Sequence, residues 1–123
     1  MSSAPIARLT VIGRDATPIS TLRFARSFRT RLVGLLGRSS ITPDEGLFFE
    51  RSASLHMLGM RFPIAVIWLG TPGTDGSRRV CGTKLLRPWS GFALPPRQAR
   101  SVLEGHPSLM TQLFPGDRVM IIE

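Results

Sequence analysis

The run Ile64-Ala65-Val66-Ile67-Trp68-Leu69, introduced by Pro63 and followed by Gly70, is the strongest constraint on what this chain can fold into. Six apolar residues are too few for a good helix and far short of the roughly 18 that span a bilayer, so the segment reads as a central strand apolar on both faces. Such a strand needs partners on both edges and packed layers on both sides. At 123 residues, 42% of them hydrophobic, the chain has enough material for one core of this kind and too little for two. The expected organisation is a loosely held tail over residues 1–5 and a single globular β-rich domain over 6–123.

The flanking sequence supports more strands. Ile6 to Ile12 has strand composition, and Gly13 to Pro18 has turn composition. From Leu22 to Arg26, apolar and basic residues at first alternate, the period-2 pattern of a half-buried strand. Ser27 is a suitable N-cap for a short helix from Phe28 to about Gly37. The turn Thr42 to Gly46 feeds Leu47-Phe48-Phe49, and the loop Gly70 to Ser77 leads into a strand from Arg79 to Leu86. Arg87 to Pro96, with three Pro and Trp89, reads as an irregular connection. Gln98 to Glu104 reads as a strand, Pro107 or Ser108 opens a helical turn through Phe114, and Arg118 to Ile122 closes the chain as a strand. The fold class is therefore mostly β (α+β), a compact barrel or sandwich of six or seven short strands with two short helices.

Charge narrows the function classes less sharply. Sixteen basic residues, fifteen of them Arg, stand against eight acidic ones, and the excess is concentrated in two segments. Residues 1–31 carry +5 and residues 78–100 carry +6, with no acid in the second. Anionic partners follow in general terms: a small anionic ligand, or nucleic acid held weakly and in a salt-sensitive way. A codon bias toward Arg in a GC-rich genome accounts for part of the excess. Phe24 and Phe28 lie among Arg23, Arg26 and Arg29, and Trp89 lies near Arg87, an arrangement suited to single strands, but the two Phe also fit core positions.

The single cysteine, Cys81, excludes an intrachain disulfide, and Met1 to Ala7 lacks a basic-then-apolar leader. A cytoplasmic location is expected, with no membrane partner. Two His and one Cys do not make a metal set, so neither a metal nor a cofactor is expected. Cys81 falls within a strand, where a buried inert thiol is the usual state. Asp44 and Glu45 share a turn and read as solvated, His106 reads as an exposed turn residue, and Glu104 reads as a charge balancing Arg100 or Arg118.

The stretch Arg31-Leu32-Val33-Gly34-Leu35-Leu36-Gly37-Arg38 resembles the domain-of-unknown-function 192 family of prokaryotes. The likeness continues through Glu45 to Phe49, His56 to Ile64, Pro88-Trp89, Ala99 to Glu104 and Leu113 to Val119. The resemblance covers about residues 22–121, and it implies a small β-barrel or sandwich with two small helices and no established activity. Members often carry one Asp two residues after the motif Pro and another after the following strand, where this chain has Ala65 and Gly70. Many relatives are exported behind a leader of a kind not seen here.

The residues singled out for function are His56, Arg61, Arg38 and Trp89. His56 and Arg61 are the polar exceptions in an apolar stretch and lie either side of Gly59, beside the rigid central strand. They suit an anion-accepting pocket in a small binding module, with Trp89 covering it. A histidine satisfied by backbone at a strand end is the plainer reading of His56. The alternative function is a hydrolase- or isomerase-like enzyme with His56 as acid/base and Arg38 or Arg61 stabilising negative charge.

Overall fold

The computed structural model describes residues 6–25, 40–51, 55–56 and 60–123. Seven strands close into a barrel. They are β1 (Ile6–Val11), β2 (Ile19–Ala25), β3 (Glu45–Phe49), β5 (Ile64–Leu69), β6 (Arg78–Leu86), β8 (Ser101–Gly105) and β9 (Arg118–Ile122), in the order β1-β2-β3-β8-β5-β6-β9. Two short strands, β4 (Leu55–His56) and β7 (Phe92–Ala93), form a separate antiparallel pair. Pairing around the barrel is antiparallel except between β2 and β3, which run parallel. The barrel expectation thus holds. Of the two expected helices, the second is a 3-10 turn, Pro107–Thr111, shorter than the span through Phe114. The first, and the expected tail, lie outside the described residues.

The strand Ile64–Leu69 is central for a reason the topology makes plain. It pairs with β6 on one side and β8 on the other, and all six of its side chains are buried. Alternation sends Ala65, Ile67 and Leu69 into the barrel, where they meet Leu9, Leu22, Phe48 and Leu103. Ile64, Val66 and Trp68 point outward into a second core with Phe49, Met60, Leu86, Ala93 and Val102. One strand therefore separates two hydrophobic layers, and neither face tolerates a polar residue.

The pairing of β5 with β6 slips by one residue. Trp68 stands opposite Gly82 and Leu69 opposite Val80, which leaves Cys81 as the extra residue of a bulge. Cys81 is only partly buried, and its thiol donates to the Trp68 carbonyl at 3.4 Å. Partial burial raises its pKa, which favours the neutral thiol, although the side chain is less buried than the expected inert thiol.

At one end the barrel is plugged by the 3-10 turn, whose Leu109 is fully buried. His106 caps this turn, and its Nδ1 accepts from the Ser108 backbone N–H at 3.0 Å. It is a half-buried structural cap and not the exposed turn residue expected. Glu104 is completely buried, because the second layer covers the outer face of β8 on which it stands. Arg118, one of its two expected counter-charges, donates to the Ser77 hydroxyl at 3.0 Å.

Candidate anion site at the barrel mouth

The end of the barrel away from Leu109 gathers the last residues of β3 and β5 and the first of β6 and β8. Chain continuity then brings Glu50 and Arg51 beyond Phe49, Pro72 beyond Leu69, Arg78 at the start of β6, and Ala99 and Arg100 just before Ser101. These six residues line an open depression of about 660 Å³. Three arginines line it against one acidic residue, Glu50.

Arg78 is the best anchored of the three. Its guanidinium carbon lies 5.1 Å from the centroid of the Phe48 ring, and Nη1 donates to the Ser101 hydroxyl at 3.3 Å. Its side chain is 16% exposed, so it is held in the mouth by the barrel core beneath it. Glu50 approaches at 3.9 Å, beyond hydrogen-bond range, and is itself 70% exposed. An exposed carboxylate at that distance neutralises little of the field of a guanidinium. Arg100 is fixed through its backbone, whose N–H donates to the Leu69 carbonyl at 2.8 Å, while the residue itself is exposed, as is Arg51.

The loop from Gly70 to Ser77 forms a firm rim. Asp75 Oδ1 accepts from the Ser77 hydroxyl at 2.7 Å and from its backbone N–H at 2.9 Å. These bonds, the hydroxyl first, hold the Asp75 carboxyl below its ordinary pKa, with Arg118 adding a smaller attraction. Gly73 and Gly76 close the turn through backbone bonds of 2.8 and 2.9 Å. A rim held this way keeps Pro72 and Arg78 in fixed relation.

The residues singled out from sequence are placed elsewhere. Arg61 is exposed between buried Met60 and Phe62, three residues before Ile64, and so at the opposite end of β5 from the mouth. His56 lies on β4 with its backbone opposite Phe92, which puts it on the same two-stranded sheet as the segment that follows Trp89. Trp89 is exposed, with a left-handed φ of 64°. Arg38 lies outside the described residues. Sequence reasoning missed Arg51, Arg78 and Arg100 as a group, although the second basic segment contains two of them. Only the register of β5, β6 and β8 brings them together.

Among the described residues no three His, Cys, Asp or Glu side chains come close enough to hold a metal ion, and no helix is long and apolar enough to cross a membrane. Fold and site together define a small closed-barrel domain with a basic mouth. The chain belongs to the DUF192 family, described as "Uncharacterized ACR", which it matches over residues 10–121. The fold is shared with a protein from Sinorhizobium meliloti 1021 described as a "putative transcription regulator", with a TM-score of 0.75, 21% identity and coverage of 98% of this chain and 97% of that one. It is shared also with a protein of unknown function from Novosphingobium aromaticivorans DSM 12444, with a TM-score of 0.72, 24% identity and coverage of 93% and 84%. No curated protein matches the chain.

Proposed function

We propose that this protein is a small binding module that accepts an anionic ligand at the barrel mouth, on Arg51, Arg78 and Arg100. The observation that supports this reading is the posture of Arg78, whose guanidinium is held at the mouth by Phe48 and Ser101 beside two further Arg. A pre-positioned guanidinium loses little freedom on binding, and its fork of donors matches a carboxylate or a phosphate. A ligand with two or more negative charges suits the three cations. The pocket expected at His56 and Arg61 is the competing location, and it differs from the mouth by nearly the length of β5. The cytoplasmic location expected from the sequence belongs to the same proposal.

Inorganic phosphate and citrate at low salt are suitable probes, with backbone amide shifts followed by NMR. Shifts should concentrate at Gly70–Arg79 and at Ala99–Arg100. Arg78→Met keeps a side chain over Phe48 without the charge, and it should weaken binding at least about tenfold, or ~1.4 kcal/mol. Arg61→Ala should leave the affinity unchanged. Loss of binding in Arg61→Ala with none in Arg78→Met would move the site to the other end of β5 and end this reading.

A further inference from the structure

The segment from the end of β6 to just past β7 exposes apolar side chains more densely than the other described residues do. Of seven large hydrophobic residues exposed among the described residues, four fall between Leu85 and Leu94: Leu85, Trp89, Phe92 and Leu94. Leu94 is the most exposed of all at 67%, and Trp89 follows at 58%. Concentration on ten consecutive residues distinguishes this surface from the scattered apolar exposure normal to soluble domains.

The local backbone holds these side chains outward. Gly91 N–H donates to the Arg87 carbonyl at 3.0 Å and Ser90 N–H to the Pro88 carbonyl at 2.7 Å, closing a tight turn with Trp89 in it. Within that turn Trp89 adopts φ 64°, a region that bulky L residues rarely occupy. Ala93 is buried in the outer core, so its neighbours Phe92 and Leu94 project together to the other side. Lys84 Nζ donates to the Phe92 carbonyl at 2.8 Å and ties this segment to β6. The arrangement is an anchored arm, and its apolar tip has no cover among the described residues.

Charge on the arm points to the kind of surface that would cover it. Lys84, Arg87 and Arg97 are all exposed, and no acidic residue occurs between 78 and 100. We propose that this arm docks on an anionic lipid bilayer, with Trp89, Phe92 and Leu94 entering the interface while Arg87 and Arg97 meet the headgroup phosphates. Trp is favoured at the boundary between headgroups and acyl chains, and basic residues add attraction to an anionic leaflet. A nucleic-acid strand would stack on Trp89 and Phe92 but would leave Leu94, which has no ring face, uncovered. This departs from the expectation of no membrane partner, which follows from the shortness of the apolar runs and so bears on spanning and not on surface contact.

The test uses the whole chain with phosphatidylcholine vesicles, either pure or containing about a third phosphatidylglycerol. Flotation should be at least about tenfold stronger with the anionic vesicles and should weaken as salt is raised. The two tryptophans make the contact visible, because Trp68 is already buried and only Trp89 has room to shift its emission to the blue. Brominated acyl chains should quench Trp89. Trp89→Ser combined with Phe92→Ser and Leu94→Ser should reduce flotation at least about tenfold, and Arg87→Gln with Arg97→Gln should erase the preference for anionic vesicles. The single Trp89→Ser variant should already weaken flotation, so the conclusion does not depend on the folding of the triple variant. Arg78→Met at the barrel mouth should bind vesicles normally, which separates failure here from failure of the anion site. Equal binding to neutral vesicles, undiminished binding by the serine variants, or tighter binding of a single-stranded oligonucleotide that quenches Trp89 would each overturn the proposal.

Discussion

Arg78 lies across the ring of Phe48 at 5.1 Å, while Phe24 meets the same ring edge-on, with centroids 5.6 Å apart and planes at 88°. The ring is therefore both a core residue and the floor under the mouth cation. Phe48→Ala should cost about 3–5 kcal/mol, measured by urea denaturation, because a fully buried ring is removed and the barrel does not collapse to fill the space. A cost below about 1 kcal/mol would mean that the ring is not packed as described.

Ile67 points into the barrel opposite Leu103 and Thr83. Ile67→Asp would bury a charge among apolar partners, at a cost of several kcal/mol. Since total stability for a domain is about 5–15 kcal/mol, the variant should be largely unfolded or show a much lowered denaturation midpoint. Ile67→Val should cost only about 0.5–1.5 kcal/mol and serves as the control. Tolerance of the Asp would contradict the central position of β5.

Gly46, Gly105 and Ala65 stand side by side across β3, β8 and β5. This row of small residues makes the space into which Ile19 and Leu109 pack. A Cβ on Gly105 would come within 2.5 Å of Leu109 Cδ1, and one on Gly46 within 2.8 Å of Ile19 Cδ1. Gly105→Ala should therefore destabilise by about 1–3 kcal/mol through displacement of the plug, despite the ordinary preference for Ala over Gly in regular structure. An unchanged thermal midpoint would show that Leu109 yields freely.

Asp75 supplies a pH signature. Its folded pKa is lowered by the bonds from Ser77, so its contribution is fully present above the unfolded value and is lost as pH falls through the folded one. The relevant window lies below about pH 4. Asp75→Asn should melt at a lower temperature than the natural protein near pH 7, and the two melting curves should converge on acidification. A gap independent of pH would mean that the carboxylate charge has no part in holding the rim.

How much of this was legible in the sequence depended on whether a feature repeats locally. The strand Ile64–Leu69 was readable because two cores demand apolar residues at every position, and Arg118–Ile122 because turn residues precede it. By contrast, β4 and β7 are two residues long and have no period to detect, and β7 sits inside a Pro-rich segment that reads as loop. The Cys81 bulge left no composition signal either. Glu104 reads from sequence only as a charge balancing Arg100 or Arg118, and nothing in its own segment announces the layer that buries it. The mouth was the least visible feature, since Arg51, Arg78 and Arg100 are far apart in sequence and meet only once strand register is set.

The pairing of β1 with β9 joins the first described strand to the last, with Arg8 opposite Ile122 and Val11 opposite Val119. During synthesis this has a direct cost in waiting time. The edge of β1 that β9 covers has no partner until Arg118–Ile122 has left the ribosome, so the barrel cannot close before all of its other strands have been made. Contacts that bridge more than a hundred residues form slowly, and until they form, the edges of β1 and β6 are open to pairing with other nascent chains. Loss of folded yield on removing β9 alone is the expected consequence of closing a barrel by pairing β1 with β9.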